Sequence, residues 1–320
     1  MARCLWVVIA TSRRPELLRK TLVSLAECRK PEIYCGTIVV ENGPRAGAQD
    51  VVRQAPRNLS ARYVYEIQGN KSAALNKVLK DLNEGLIFFT DDDVRLDPDI
   101  LALYAEASAA TEHGCFYGGP VGVDYEVPPL EWLKPYLPAS ARGWAPHNEW
   151  KPDGREYFLG FNWAAFAADL KDAGGFDIDK GPGSRSGSTG QETDMQMRLL
   201  RNGLYGIYLP AAWVWHYVPS ARCSPRWALK RNFREGISIG LDTRRADPAI
   251  FGYPLWTFKQ LAKRTFEALC ASLSRDPRTR FESYSELVSL CGYMRGARIK
   301  NRGAANYKSR GARDRVPPAR

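Results

Sequence analysis

Gly85-Leu86-Ile87-Phe88-Phe89-Thr90-Asp91-Asp92-Asp93 decides how this chain folds and where its chemistry sits. The apolar half, 86–89, reads as a short buried strand. The other half sets three carboxylates at that strand's end, where they cannot pack in a core. Unpaired, they repel one another and are costly to desolvate. A divalent cation relieves both problems, because hard oxygen ligands suit Mg²⁺ or Mn²⁺. A metal held there is well placed to hold a diphosphate.

Upstream, strands and helices alternate. Residues 3–10 read as a buried strand bounded by Thr11-Ser12. Pro15 stands at the first position of a helix that carries Leu17, Leu18, Leu22 and Leu25 at helical period. A second strand, 37–40, closes on Glu41-Asn42-Gly43; a short helix at 49–54 and a third strand at 62–66 follow. Gly69-Asn70-Lys71 leads into a helix over 72–82, and Asp97-Pro98-Asp99 opens another over 98–110. Such alternation means βαβ units and a mainly parallel sheet. Sheets of this kind bind ligands beyond the carboxyl ends of their strands. Thr11, Glu41, Gly69 and the Asp triplet all fall at or near such ends.

The second half is less regular. Strands are expected at 116–123, at 158–166 with one buried Asn162, and at 206–215 around Pro210, leading to His216. The Pro- and Trp-rich segment 128–150 reads as irregular, and the Gly/Ser loop 181–190 as a candidate lid. A helix over 194–201 stops at Gly203. Amphipathic helices follow at 225–239, 254–274 and 280–294, then an Arg/Gly/Ala/Pro-rich tail.

With 320 residues, 44% of them hydrophobic, the chain can bury one large domain, or a domain with an extension. The net charge of +11 is concentrated after Arg222 and above all in 295–320. That suits a solvated basic surface, or contact with anionic lipid headgroups or an anionic substrate. Arg226, Lys230 and Arg234 recur every four residues and form a basic stripe. No nucleic-acid motif with helix or zinc spacing is present, so nucleic acid is not an expected partner. The seven cysteines are odd in number and lack CxxC spacing, which argues against a disulfide framework or a zinc site and for a reducing, cytoplasmic setting. No stretch approaches the length of an apolar membrane span.

Several motifs, in order, resemble the inverting family 2 glycosyltransferases with the GT-A fold, over residues 4–240. Val7 to Pro15 (VVIATSRRP) looks like that family's first strand and loop, V-x-I-P-T-x-x-R, with Ala10 where the family has Pro. Val39-Val40-Glu41-Asn42-Gly43 is similar to its V-V-D-N-G/S turn, with Glu41 one methylene longer. Gly69-Asn70-Lys71-Ser72-Ala73-Ala74-Leu75-Asn76 resembles its G-K-x-x-A-L-N element, and Asp91-Asp92-Asp93 its DxD motif. Gln191-Glu192-Thr193-Asp194 with Arg198-Leu199 resembles the element that carries the catalytic base, and Trp215-His216 the downstream V-x-H.

The resemblance implies an α/β, Rossmann-like GT-A fold, a mixed sheet flanked by helices, with C-terminal amphipathic helices. Its implied organisation is a transferase domain over 1–240 (nucleotide-sugar half 1–110, acceptor and catalytic half 111–240), a helical extension over 241–299 and a disordered basic tail over 300–320. It implies donor contacts at Ala10, Thr11, Arg14, Glu41, Asn42, Gly69, Lys71, Asn76, Asp91 and Asp92, and a Mg²⁺ or Mn²⁺ held by Asp93 and His216. The donor would be a nucleotide-diphospho-sugar, UDP-linked by family frequency, and the acceptor a glycan or lipid-linked hydroxyl in surface polysaccharide or glycolipid assembly. An acceptor hydroxyl attacking the anomeric carbon must lose its proton to a carboxylate. Glu192 fits that role and Asp194 is its rival. Trp163 and Trp144 are candidates for stacking on the acceptor sugar. A nucleotidyltransferase on the same fold would show a GxGTRL-type loop after the first strand, which 11–15 lacks. The alternative is a non-catalytic protein of the same fold that binds sugar nucleotides or glycans.

Overall fold

The β-branched and aromatic runs of the N-terminal half become the strands of one sheet. The computed structural model describes residues 4–109, 114–146, 157–185, 187–243 and 248–313, with side chains placed up to residue 302. It divides into two units. The first comprises Met1–Pro129, Leu137–Ser184 and Gly190–Cys223; the second comprises Leu130–Tyr136, Arg185–Thr189 and Ser224–Arg320.

In the first unit the order is β1 (Leu5–Thr11), α1 (Pro15–Glu27), β2 (Tyr34–Asn42), α2 (Ala48–Arg53), β3 (Arg62–Glu66), α3 (Lys71–Asp81), β4 (Leu86–Asp91), β5 (Val94–Leu96) and α4 (Ile100–Ala109). Then come β6 (Cys115–Gly118), β7 (Val121–Tyr125), α5 (Ala139–Arg142), β8 (Trp163–Phe166), α6 (Ala167–Asp172), α7 (Gln191–Arg201), β9 (Tyr205–Tyr208) and β10 (Val214–Val218). Seven strands form a sheet in the order β3-β2-β1-β4-β8-β6-β9. Strands β3, β2, β1 and β4 run parallel, and β8 runs antiparallel to both β4 and β6. The sheet is therefore mixed. Side chains alternate between its faces. Val7, Ile9, Val39 and Phe88 face Leu18 and Leu22 of α1 and Tyr104 of α4; Val8, Val40 and Phe89 face Leu75 and Val78 of α3.

Register puts the chemistry together. Thr11 pairs with Glu41 and Ala10 with Asp91, so the carboxyl ends of β1, β2 and β4 lie side by side. A second, three-stranded sheet has the order β5-β10-β7. There His216 pairs with Val94, and Tyr217 N–H donates to the Asp93 carbonyl (2.8 Å). That pairing carries His216 to the Asp triplet from more than a hundred residues away in sequence.

Two expected strands are each split. The run 116–123 becomes β6 and β7, broken at Gly119-Pro120, because Pro120 has no N–H to donate and a Cβ on Gly119 would stand 2.1 Å from the Ala212 carbonyl. The run 206–215 breaks around Pro210 into β9 and β10, which join different sheets. Only the end of 158–166 is strand. Residues before it are held by side chains: Phe158 exchanges two hydrogen bonds with the Gln196 amide, and Asn162 Nδ2 donates to the carbonyls of Pro120 and Ala212 (2.8 Å each).

The cysteine reading is corrected at one pair. Cys4 and Cys35 form a disulfide, with Cα atoms 5.5 Å apart at the start of neighbouring strands. Counting and spacing miss it because strand register, not sequence distance, brings the two thiols together. Cys28, Cys115, Cys223, Cys270 and Cys291 are free.

The second unit holds α8 (Pro225–Asp242), a small hairpin of β11 (Ala249–Ile250) and β12 (Tyr253–Pro254), α9 (Leu255–Ser272) and α10 (Pro277–Arg313). The last helix runs past 299, the expected end of the helical extension. Helices α8 and α10 cross through glycines. A Cβ on Gly236 would lie 2.3 Å from the Ser289 carbonyl, and one on Gly240 2.2 Å from that of Tyr293. From the other side, Gly292 meets Phe233 and Gly296 meets Ile237 as closely. Trp132 and Tyr136 pack their rings on Phe281 of α10. No described helix of the chain is long and apolar enough to cross a membrane.

Candidate active site

The loop after β1 is built to aim one guanidinium. Arg13 sits at φ 58°, a left-handed conformation that strains a residue with a Cβ. The next residue, Arg14, precedes α1, which starts on Pro15. Its two terminal nitrogens form ion pairs with Asp92 and Asp93. Thr11 Oγ1 donates to Asp92 Oδ2 (2.5 Å), and Asn42 Nδ2 donates to the Thr11 carbonyl (3.0 Å). Lys71, at the first turn of α3, pairs with Asp91. With Arg222 Nη1 3.8 Å from Asp93, the three carboxylates thus meet three cations and a hydroxyl within the protein.

Burial and charge compete at each group. Burial would lower the Arg14 and Lys71 pKa values, but the facing aspartates raise both. Burial raises Asp92 to about 6 against the pull of Arg14. Asp93 is also buried, which would raise it, yet His216, Arg14 and Arg222 hold it well below the ordinary carboxylate range.

Asp93 and His216 fit a divalent cation. Nδ1 of His216 lies 2.6 Å from the Ser140 carbonyl, which can only accept, so Nδ1 carries the proton. In the neutral ring Nε2 then presents a lone pair, and it faces Asp93 Oδ1 at 3.5 Å. Asp93 Oδ1 is buried and accepts no hydrogen bond. Arg14 and Arg222 stand beside this pair, Arg14 bonding Asp93 and Arg222 Nη1 lying 3.5 Å from His216 Nε2, and a divalent cation would join them there. Among the described residues no group of three or more His, Cys, Asp or Glu could hold a metal alone. Remaining positions would fall to phosphate oxygens and water, as suits an ion that arrives with a diphosphate.

The element 69–76 is tied down by the chain that follows α6. Asn70 caps α3, its Oδ1 accepting from Ala73 N (2.9 Å), while its Nδ2 donates to the Ile178 carbonyl. Lys71 N–H donates to the Pro182 carbonyl (3.1 Å), and Ser72 Oγ to that of Lys180 (3.1 Å). Asn76 makes two bonds of 2.7 Å to the Phe176 backbone. Gly183 passes so close to Gly69 that a Cβ there would stand 1.8 Å from the Gly69 carbonyl. The first part of the expected lid therefore lies directly on the α3 N-terminus.

Glu41 is buried and both its oxygens accept from the protein, Oε1 from Ala46 N (2.7 Å) and Oε2 from the Tyr63 hydroxyl (2.6 Å). It pins the turn 43–47. Ala10, paired with Val40 and Asp91 in the sheet, is buried.

The two base candidates differ sharply. Asp194 Oδ1 accepts from Lys180 (2.8 Å) and Oδ2 from Arg198 (2.9 Å). Glu192 lies in the first turn of α7 against Gly160, where a Cβ would come within 3.0 Å of its carboxyl carbon. It makes no hydrogen bond or ion pair among the described residues, and its charge is felt at Lys71.

Trp163 is a core residue. It is 1% exposed, its ring stacked on Phe89 (4.9 Å) and edge-on to Phe176 (6.3 Å), so it has no face to offer a sugar. Trp144 is half-buried, edge-on to Phe158 and Tyr208. Sequence reading missed Arg222, whose Nη1 stands 3.8 Å from Asp93 and 3.5 Å from His216 Nε2. It also missed Phe161, stacked on the His216 ring at 4.8 Å. A basic residue soon after the histidine strand was the available signal for Arg222.

Residues 6–170 match the profile described as Glycosyl transferase family 2. No curated protein sequence matches the chain. Among solved structures, the chain is similar to a mannosyltransferase from Pyrobaculum calidifontis in complex with GDP-Man and Mn²⁺. Identity is 18%, coverage 94% of this chain and 87% of that one, and TM-score 0.57. It is also similar to S. aureus TarS, residues 1–349, in complex with UDP-GlcNAc, at 14% identity, 94% and 92% coverage and TM-score 0.48. The mannosyltransferase shares the fold, a mixed sheet between helix layers. With half of its length matched by the family profile and its sheet arranged as GT-A, this chain belongs to glycosyl transferase family 2 and is a glycosyltransferase.

Proposed function

We propose that the chain is a metal-assisted, inverting glycosyltransferase that moves a sugar from a nucleotide-diphospho-sugar to an acceptor hydroxyl, with Glu192 as the base. The observation that carries this is the contrast on α7. Asp194 is paired with Lys180 and Arg198, whereas Glu192, in the same helical turn, has no ion-pair partner among the described residues. A carboxylate free of ion pairs is the one able to take a proton from an attacking hydroxyl.

Asp93 and His216 would hold a Mg²⁺ or Mn²⁺, which when bound supplies positive charge to the diphosphate as a Lewis acid. The chain's own cations act on the same charge. Lys71 at the α3 N-terminus and Arg14 and Arg222 around Asp93 stabilise the diphosphate as negative charge grows on it. Asp91 and Asp92 orient Lys71 and Arg14. One direct displacement, with Glu192 taking the acceptor proton, inverts the anomeric centre. The proposed donor is UDP-linked, and the proposed setting is surface polysaccharide or glycolipid assembly at the cytoplasmic membrane face.

A donor screen tests the proposal. The protein is incubated with Mn²⁺ or Mg²⁺ and each common UDP-, GDP- and dTDP-sugar, and thermal shift and nucleotide release are followed. Metal-dependent stabilisation by one donor, lost in Asp93→Ala, supports it. No shift with any nucleotide, with or without metal, refutes it.

A further inference from the structure

Helix α9 is turned inside out for a helix in water. The residues it buries are small: Thr257, Ala268 and Ala271. Most of its large apolar residues are exposed, although Leu261 is half-buried and Trp256 packs its ring on Tyr293 of α10. Leu255 and Phe258 are 44% exposed, Phe266 68%, Leu269 64% and Leu273, which caps the helix, 86%. With Ala262, these residues recur at intervals of three or four, the spacing that keeps them on one face. The stripe runs the length of the helix, roughly 27 Å at 1.5 Å per residue. Scattered exposed leucines need no explanation, but a continuous stripe does.

The charges along one edge of it are two lysines and one glutamate, Lys259, Lys263 and Glu267. Lys259 and Lys263 follow Phe258 and Ala262 by one residue and are exposed. The helix has one acid, Glu267, held by Arg264 and Lys263. Arg264 is turned away from the stripe to Glu286 of α10. Just before α9, the hairpin between β11 and β12 presents Phe251, 80% exposed, at φ 52°.

We propose that the α9 face docks on a lipid surface bearing anionic headgroups. An apolar stripe edged by lysines lies in such a surface with its apolar side in the acyl boundary and its ammonium groups among the phosphates. The inference concerns a face of the second unit and requires no step of the transferase reading. Its test uses neither donor nor turnover, so each can fail alone.

The full chain is sedimented with phosphatidylcholine vesicles and with vesicles of phosphatidylcholine and phosphatidylglycerol at about 3:1. Wild type is expected to sediment with the anionic vesicles and far less with the neutral ones. Lys259→Gln/Lys263→Gln is expected to weaken partitioning about twenty-fivefold, at about fivefold per lysine. Phe266→Glu/Leu269→Glu is expected to abolish it with the melting temperature unchanged, since both sites are exposed. Wild type that stays in solution with anionic vesicles overturns the proposal, as does sedimentation unaffected by Phe266→Glu/Leu269→Glu. A wild-type dimer in light scattering that this double variant converts to monomer, without vesicle binding in either, assigns the stripe to a second copy and also overturns it.

Discussion

Exchanging the two acids of α7 one at a time separates chemistry from scaffolding. Glu192→Gln keeps size and removes the proton acceptor. Loss of a general base costs about 10²- to 10⁴-fold, or about 3–5 kcal/mol in the barrier. Glu192 makes no hydrogen bond or ion pair among the described residues, so the melting temperature should hold. Asp194→Asn does the opposite. Lys180, Asp194 and Arg198 are 16%, 13% and 24% exposed, and an amide nitrogen in place of one oxygen turns a donor toward Lys180 or Arg198. Breaking a fully buried pair costs about 3–5 kcal/mol. Partial exposure brings that to about 2–3 kcal/mol, or about 4–10 °C in melting temperature. Scanning fluorimetry and steady-state nucleotide release with Mn²⁺ and the screened donor read the two effects. A Glu192→Gln enzyme at wild-type kcat, or an Asp194→Asn enzyme that melts normally but does not turn over, would refute the assignment.

Other substitutions test the site's surroundings. Trp163→Ala should lower stability by about 3–5 kcal/mol, as expected of a core aromatic, and leave the acceptor KM of the surviving enzyme unchanged; thermal melts and kinetics together check this. Gly183→Ala meets both a φ of +83° and the Gly69 carbonyl, and should cost well over 1 kcal/mol, freeing the Lys71 amide to exchange with solvent in hydrogen-exchange measurements. His216→Ala should weaken Mn²⁺-dependent stabilisation about tenfold or more in a metal titration. Burial pushes the Cys28 thiol up to about 11, against the pull of Lys30. The folded state then keeps a proton that the unfolded chain loses near pH 9, so stability falls as pH rises from about 9 to about 11. Compared with Cys28→Ser across that window, wild type should lose about 3 kcal/mol.

The N-terminal half was legible because its signals are local. The apolar run 86–89 and the polar ends of the three preceding strands give strand, direction and edge at once, and ligands of parallel sheets gather at that edge. What sequence could not give is register between distant segments. The short β5 strand, Ser140 and Phe161 belong to the His216 environment only because distant segments are brought together, as where β10 pairs with β5 and β7. The same blindness hid the Cys4–Cys35 bond. Proline was the misread punctuation: Pro120 and Pro210 mark changes of sheet, not features inside strands. Trp163 shows the limit of residue type, since an aromatic suited to stacking on sugar is equally suited to stacking on Phe89.

The glycine crossing of α8 and α10 has a bearing on the solvent this unit tolerates. Most helix pairs in water hold together by hiding oily side chains, and their grip slackens as the medium turns oily itself. At Gly236, Gly240, Gly292 and Gly296 main chain touches main chain, and the attraction is dispersion between closely set atoms. Pairs of this small-residue spacing associate inside bilayers, where there is no water to exclude. A joint of this kind depends little on the exclusion of water.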